Sequence, residues 1–177
     1  MNGNGGKPIN AMIQLTSFRI IALLLAFGGL QLLLYYPKLP DAVPYHFNFK
    51  GEPDAWGSRT FLISFDAGVL LFLALTFFLT ARFIMRARDD YINLPHKEYW
   101  LAPERRDATI RRLLNLLGWI GVCTLLFIQY VMLQTLRAAT AEPPQQFGTF
   151  WPVLLLYLAA VGGLVAREMW KFRRPSH

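Results

Sequence analysis

Charge is scarce in this chain. Charged side chains make up 16% of its 177 residues, against 54% hydrophobic and 15% aromatic, whereas a soluble domain carries about 25%. A chain with so little polar surface lacks what it needs to stay dissolved. Cysteine is nearly absent too. The single Cys123 falls inside an apolar run, which excludes an internal disulfide and any cage of cysteine ligands for a metal. Acids are outnumbered by bases, 11 to 18. No GxxxxGK[ST], GxGxxG, HExxH, CxxC or nucleophile elbow occurs, so no recognisable phosphate cradle, zinc helix or activated serine is encoded. Internal repetition is not evident. The expected reading is therefore non-enzymatic, with no cofactor and no metal.

What the chain does have is four long apolar runs, residues 18–36, 61–81, 113–136 and 150–166. About 20 residues at 1.5 Å each cross a hydrocarbon core of roughly 30 Å, and the first three runs meet that. The fourth is shorter and contains Gly162-Gly163, but Trp151 and Trp170 near its ends suit interfacial anchoring. In lipid every backbone polar group must bond within its own segment, and runs this long and uniform are not barrel strands. Each is expected to be a helix. The first run begins late and is followed by YYPKLPDAVP, which has no small-x-small cleavage site, so it is expected to be retained rather than removed as a signal peptide. The predicted fold class is all-α, an integral membrane bundle of four helices forming a single domain over residues 1–177.

The basic residues set the expected orientation. Four spans place the N-terminus, the second loop and the tail on one side. That side holds Lys7 and Arg19, then Arg82, Arg86, Arg88, Lys97, Arg105, Arg106, Arg111 and Arg112, and finally Arg167, Lys171, Arg173 and Arg174. The other side holds only Lys38, Lys50, Arg59 and Arg137. A split of fourteen to four predicts both termini in the cytoplasm. It also accounts for a pI near 9.9 without nucleic acid as a partner; the expected partner is the lipid bilayer, with a homo-oligomer or a membrane protein beside it.

The loop after the first span reads YPKLPDAVPYHFNFKGEPDAWGSR. Pro37, Pro40, Pro44 and Pro53 oppose helix and favour extended or turn geometry. Gly51 and Gly57 supply positions for positive φ. His46 to Phe49 are expected to be extended, Asp54 to form a turn by capping local N–H groups, and Ser58 to cap the second helix. A short aromatic loop between two membrane helices is expected to pack as a structured lid on the outer surface.

The string Leu39-Pro40, Val43-Pro44, His46-Phe47-Asn48, Gly51-Glu52-Pro53-Asp54 and Trp56-Gly57-Ser58 resembles a bacterial membrane domain of unknown function. That domain forms the N-terminal part of SdpI-like toxin-immunity and signalling proteins and occurs in short uncharacterised membrane proteins. INLPHKEYWLAPERR, residues 92–106, resembles the companion stretch of the short members. The chain departs from the longer immunity proteins in having four spans where they have more. The resemblance implies a protein of the bacterial plasma membrane and, at the outer face, a sensing or binding role.

Polar residues in the apolar runs are the remaining signal. Asp66 lies five positions into the second run, and intramembrane acids are functional candidates by default. Gln31, Gln129 and Tyr157 fall at nearly the same depth on the other runs, about 8–11 Å from the outer boundary. Facing inward they would form a shallow polar pocket; the alternative is hydrogen bonding that fixes the bundle. The candidate ligand- or partner-binding residues are His46, Asn48, Glu52, Asp54, Trp56, Asp66, Gln31 and Gln129. A metal on His46 with Asp41, Glu52 and Asp54 is disfavoured, since only one imidazole is present. In the second loop Pro103 and Glu104 suit a first helical turn. His96, Tyr99, Trp100, Arg105 and Arg106 are candidates for docking a cytoplasmic partner, against plain anchoring to the inner leaflet. Two further functions stay open: a transporter component using Asp66 as a proton or cation site, and a membrane enzyme using His46 and Asp54.

Overall fold

The computed structural model describes residues 15–141 and 149–173. Lys7, Arg174 and most of the predicted third loop lie outside them. Four helices are long and apolar enough to cross a membrane: α1 (Thr16–Tyr35), α2 (Arg59–Arg86), α3 (Arg106–Thr140) and α4 (Phe150–Phe172). Each coincides with a predicted run, but α2 and α3 reach well beyond theirs. At 1.5 Å per residue α3 is ~52 Å long, which exceeds a hydrocarbon core, so its ends stand clear of the apolar belt. Large apolar side chains point outward all around the middle of the helices, among them Leu33, Phe72, Leu79, Leu126 and Leu156. In water such a surface would drive aggregation; in lipid it is the expected outer face.

Between α1 and α2 the chain forms an antiparallel hairpin, β1 (Ala42–Phe47) and β2 (Pro53–Ser58). Prolines in the loop do not exclude all helical geometry, since Pro37 sits in a 3-10 turn at Tyr36–Lys38, where its fixed φ is tolerated. Ser58 caps α2 as predicted: its Oγ accepts the Phe61 N–H at 3.1 Å. The turn maker is Asn48, not Asp54. Asn48 Oδ1 accepts the N–H groups of Lys50 at 2.9 Å and Glu52 at 3.0 Å, and Gly51 takes φ 81°, where a Cβ would be strained. Asp54 lies within β2 instead.

The hairpin rests on the helices through Val43 and Pro44, both fully buried. Val43 joins Leu39, Leu62, Leu136 and Ala139 in one cluster that continues down the bundle through Leu70, Leu125 and Ile21. Arg59 pins the entry to α2. It pairs with Asp41 at 3.4 Å, donates to the Leu39 carbonyl at 3.4 Å, and lies over the Tyr36 ring.

The predicted four-helix bundle is three helices plus one. α1, α2 and α3 pack on one another, while α4 packs chiefly on α3. Among its described residues only Glu168 and Phe172 are buried, and Gly162 and Gly163 face open space. Tyr157 therefore does not join a central layer; its hydroxyl is 3.2 Å from Thr124 Oγ1 and its ring stacks on Phe127 of α3.

At the end opposite the hairpin, a second cluster joins Ala81, Ala87, Ile92, Leu94, Leu101, Ile110, Leu114 and Phe172. Pro103 and Glu104 lie in the turn before α3, which begins at Arg106, and not in its first turn as expected; Asp107 is the acid there.

Candidate functional site

The hairpin carries two compensating irregularities. Between the pairs Pro44↔Trp56 and His46↔Ala55 the first strand has one extra residue, Tyr45. Between His46↔Ala55 and Phe47↔Pro53 the second strand has one, Asp54. Bulges re-aim side chains, and here His46 Nδ1 meets Asp54 Oδ1 at 2.5 Å. The carboxylate fixes which way the imidazole faces and leaves Nε2 for other contacts. Asn48 holds Glu52 through Nδ2 to Oε2 at 2.9 Å, so Glu52 braces the turn.

The tip of the hairpin leans across to α4. The Phe49 and Trp151 rings stack at 6.0 Å and 10°, and Trp151 Nε1 donates to the Phe49 carbonyl at 3.4 Å. Beneath that contact is a cavity of about 580 Å³, within the range of small-molecule pockets. Tyr45, Phe47, Val131 and Phe150 supply apolar wall, and His46, Lys50, Asp54 and Thr135 supply polar groups.

The predicted set of binding residues is thus divided among three places. His46, Asn48 and Asp54 line this cavity. Glu52 supports it through Asn48, whereas Trp56 lies outside its lining, half exposed across from Pro44. Gln31, Asp66 and Gln129 form a separate layer deep in the three-helix core, 6%, 7% and 7% exposed. Gln129 Nε2 donates to the Leu24 carbonyl of α1 at 3.0 Å. That bond requires Gly28: a Cβ there would collide with Gln129 Nε2 and lie 2.9 Å from Leu70 Cδ1. Of the adjacent Gly28 and Gly29 only the first is a crossing point; Gly29 has open space around it. Val131, Thr135, Phe49 and Trp151 were missed as cavity residues, because no local pattern links a loop tip to helices about 80 to 100 positions on.

The predicted cytoplasmic docking residues are largely engaged within the chain. Trp100 Nε1 donates to the Phe172 carbonyl at 2.8 Å and its ring meets Phe172 edge-on. Arg106 bonds Asp89 at 2.8 Å and the Ala87 carbonyl at 2.9 Å. Arg105 lies 4.1 Å from the Tyr99 ring centre. Only His96 stands exposed without a role in this knot; its backbone, at φ 53°, starts the single helical turn Lys97–Trp100. Glu168, buried in α4, gathers Arg112 at 2.6 Å, Lys171 at 3.1 Å and Arg167 at 3.2 Å. Among the described residues no three or more His, Cys, Asp or Glu side chains converge as a metal ion would require.

Residues 21–76 match a family described as a domain of unknown function (DUF1648). The matched stretch runs from α1 through the hairpin into α2. It contains the loop on which the resemblance to a membrane domain of unknown function rests, together with Gln31 and Asp66, and leaves out Gln129 and α4. An uncharacterized protein of Archaeoglobus fulgidus is 30% identical over 118 residues, covering 59% of this chain and 64% of the relative. The chain therefore spans less than two thirds of that curated relative's length. No solved structure matches.

Proposed function

We propose that this is a non-enzymatic protein of the bacterial plasma membrane, with both termini in the cytoplasm, that binds an amphipathic ligand under the hairpin at the outer face. The observation that carries the reading is the cavity of about 580 Å³ between hairpin, α3 and α4. Its lining combines two chemistries. Val131 and Phe150 come from helices that continue into the apolar belt and are joined by Tyr45 and Phe47, while His46, Asp54 and Lys50 supply polar groups from the hairpin. A ligand with an acyl or aromatic body and a polar head matches both. The fourteen-to-four distribution of Lys and Arg supports placing the hairpin outside. A sensing role in the manner of SdpI-like signalling proteins is compatible with a site on that face.

The His46–Asp54 pair resembles an oriented general base. The hydroxyls lining the cavity come from Tyr45 and Thr135, and its lining has neither serine nor cysteine. The pair is therefore read as a brace for the hairpin and a polar contact for the ligand, rather than as half of a nucleophilic site.

Val131→Trp tests the proposal by filling the cavity from α3. Native mass spectrometry of the protein extracted in mild detergent is expected to show a retained amphiphile on the wild type. The variant should lose it while keeping its helical circular dichroism. An identical adduct on both proteins, or none on the wild type, would sink the reading.

A further inference from the structure

The layer of Gln31, Asp66 and Gln129 has no part in the hairpin cavity and raises a separate question of charge. Its members lie within about one helical turn of one another. Gly28 of α1 meets both Gln129 of α3 and Leu70 of α2. Gln31 is three residues on from Gly28 and Asp66 four before Leu70, so each lies one turn nearer the hairpin on the face already in contact. Asp66 is eight residues below the Ser58 cap, ~12 Å along α2.

Hydrogen bonding within the chain does not satisfy this layer. Among the described residues, Gln31 Nε2 and Oε1, Asp66 Oδ2 and Gln129 Oε1 are buried and have no partner. Orphaned polar atoms in a core are strongly unfavourable, and several in one layer call for an occupant. Three of the four are oxygens that accept. The identity of Gln129 Oε1 follows from its amide nitrogen's bond to Leu24.

Nor do the described residues of the spans supply a counter-charge. Arg59, the nearest base in sequence, is held by Asp41, the Leu39 carbonyl and the Tyr36 ring. Asp66 is the one charged residue of α2 between Arg59 and Arg82, and α1 between Arg19 and Lys38 has none. The same holds for α3 between Arg112 and Arg137, and for the α4 run before Arg167.

We infer that this layer binds one monovalent hard cation, of the sodium class, through Asp66, Gln31 Oε1 and Gln129 Oε1. Oxygen ligands select hard cations. One carboxylate neutralises a single positive charge, whereas divalent calcium draws on more carboxylates and six to eight oxygens. The inference is independent of the hairpin cavity, so either can fail without the other.

The full chain in detergent tests it by thermal unfolding in sodium chloride against choline chloride at equal ionic strength, with equilibrium binding of radioactive sodium alongside. The wild type is expected to retain one sodium per chain. Its midpoint should rise saturably, by about 5–10 °C at a hundredfold excess over Kd. Asp66→Asn should abolish both effects and Gln31→Leu weaken them. A wild-type midpoint that responds to pH but not to sodium would overturn the inference in favour of a proton on Asp66. So would retained sodium binding in Asp66→Asn. Should Asp66→Asn fail to fold, the binding measurement on the wild type decides alone: absence of sodium on it overturns the site.

Discussion

At Gly28 the crossing of three helices depends on a side chain that is missing. Without a hydrophobic drive between helices in lipid, close backbone approach and interhelical hydrogen bonds hold a bundle together, and Gly28 provides both. It admits the Gln129 amide to the Leu24 carbonyl and lets Leu70 close in from α2. Gly28→Ala is expected to destabilise the protein by about 1–3 kcal/mol, read as an earlier thermal or denaturant midpoint. The neighbouring Gly29→Ala meets nothing within 4 Å and should be neutral or slightly stabilising, since alanine favours helix. Equal effects at the two positions would refute this account. Gly121 behaves like Gly28: a Cβ there would lie 2.7 Å from Ile21 Cδ1. Two adjacent glycines do not by themselves mark a crossing; crossings are set by which face turns inward, and an almost uniformly apolar helix does not reveal that face to periodicity.

Among the elements, α4 is the one whose attachment the sequence least disclosed. Its length, apolar run and terminal tryptophans were legible because crossing a membrane imposes length and composition directly. Its position outside the three-helix core was not, since all four runs are comparably apolar and lipid satisfies an unpacked face as well as a neighbour does. The hairpin is the opposite case. Four prolines with Gly51 and Gly57 made its departure from helix legible, but not the turn at Asn48, where an extended stretch was expected. The paired bulges at Tyr45 and Asp54 depend on cross-strand register and could not be read, hence the misplaced role for Asp54. α4 is held at one end by Trp151 on Phe49 and at the other by Glu168 on Arg112. Removing one partner of a buried ion pair costs about 3–5 kcal/mol. Arg167 and Lys171 are half exposed and remain hydrated without Glu168, which lowers the figure. Glu168→Ala is expected to lose about 1–2 kcal/mol and to loosen α4 from α3. A cysteine pair placed at Thr124 and Tyr157, which touch in the native chain, should then cross-link more slowly in the variant. An unchanged cross-linking rate would mean that the hairpin contact alone seats α4.

For the whole molecule, the distribution of charge and the two apolar clusters describe a bundle with unlike ends. The hairpin end buries Val43 and Leu39 under a short sheet. The other end packs Trp100 and Phe172 within a collar of arginines, several tied to Asp89 and Glu168. A basic collar of this kind is retained on the cytoplasmic side during insertion and attracts anionic headgroups there. With Cys123 replaced by serine, Lys50→Cys on the hairpin should react with a membrane-impermeant maleimide in intact cells. Lys97→Cys should react only after the membrane is permeabilised. Labelling of Lys97→Cys alone in intact cells would invert the topology and move the hairpin cavity to the cytoplasmic face. An inverted chain would place the polar heads of its proposed ligands among the cytoplasmic lipids, so the same pair of cysteines also decides which leaflet supplies what binds under the hairpin.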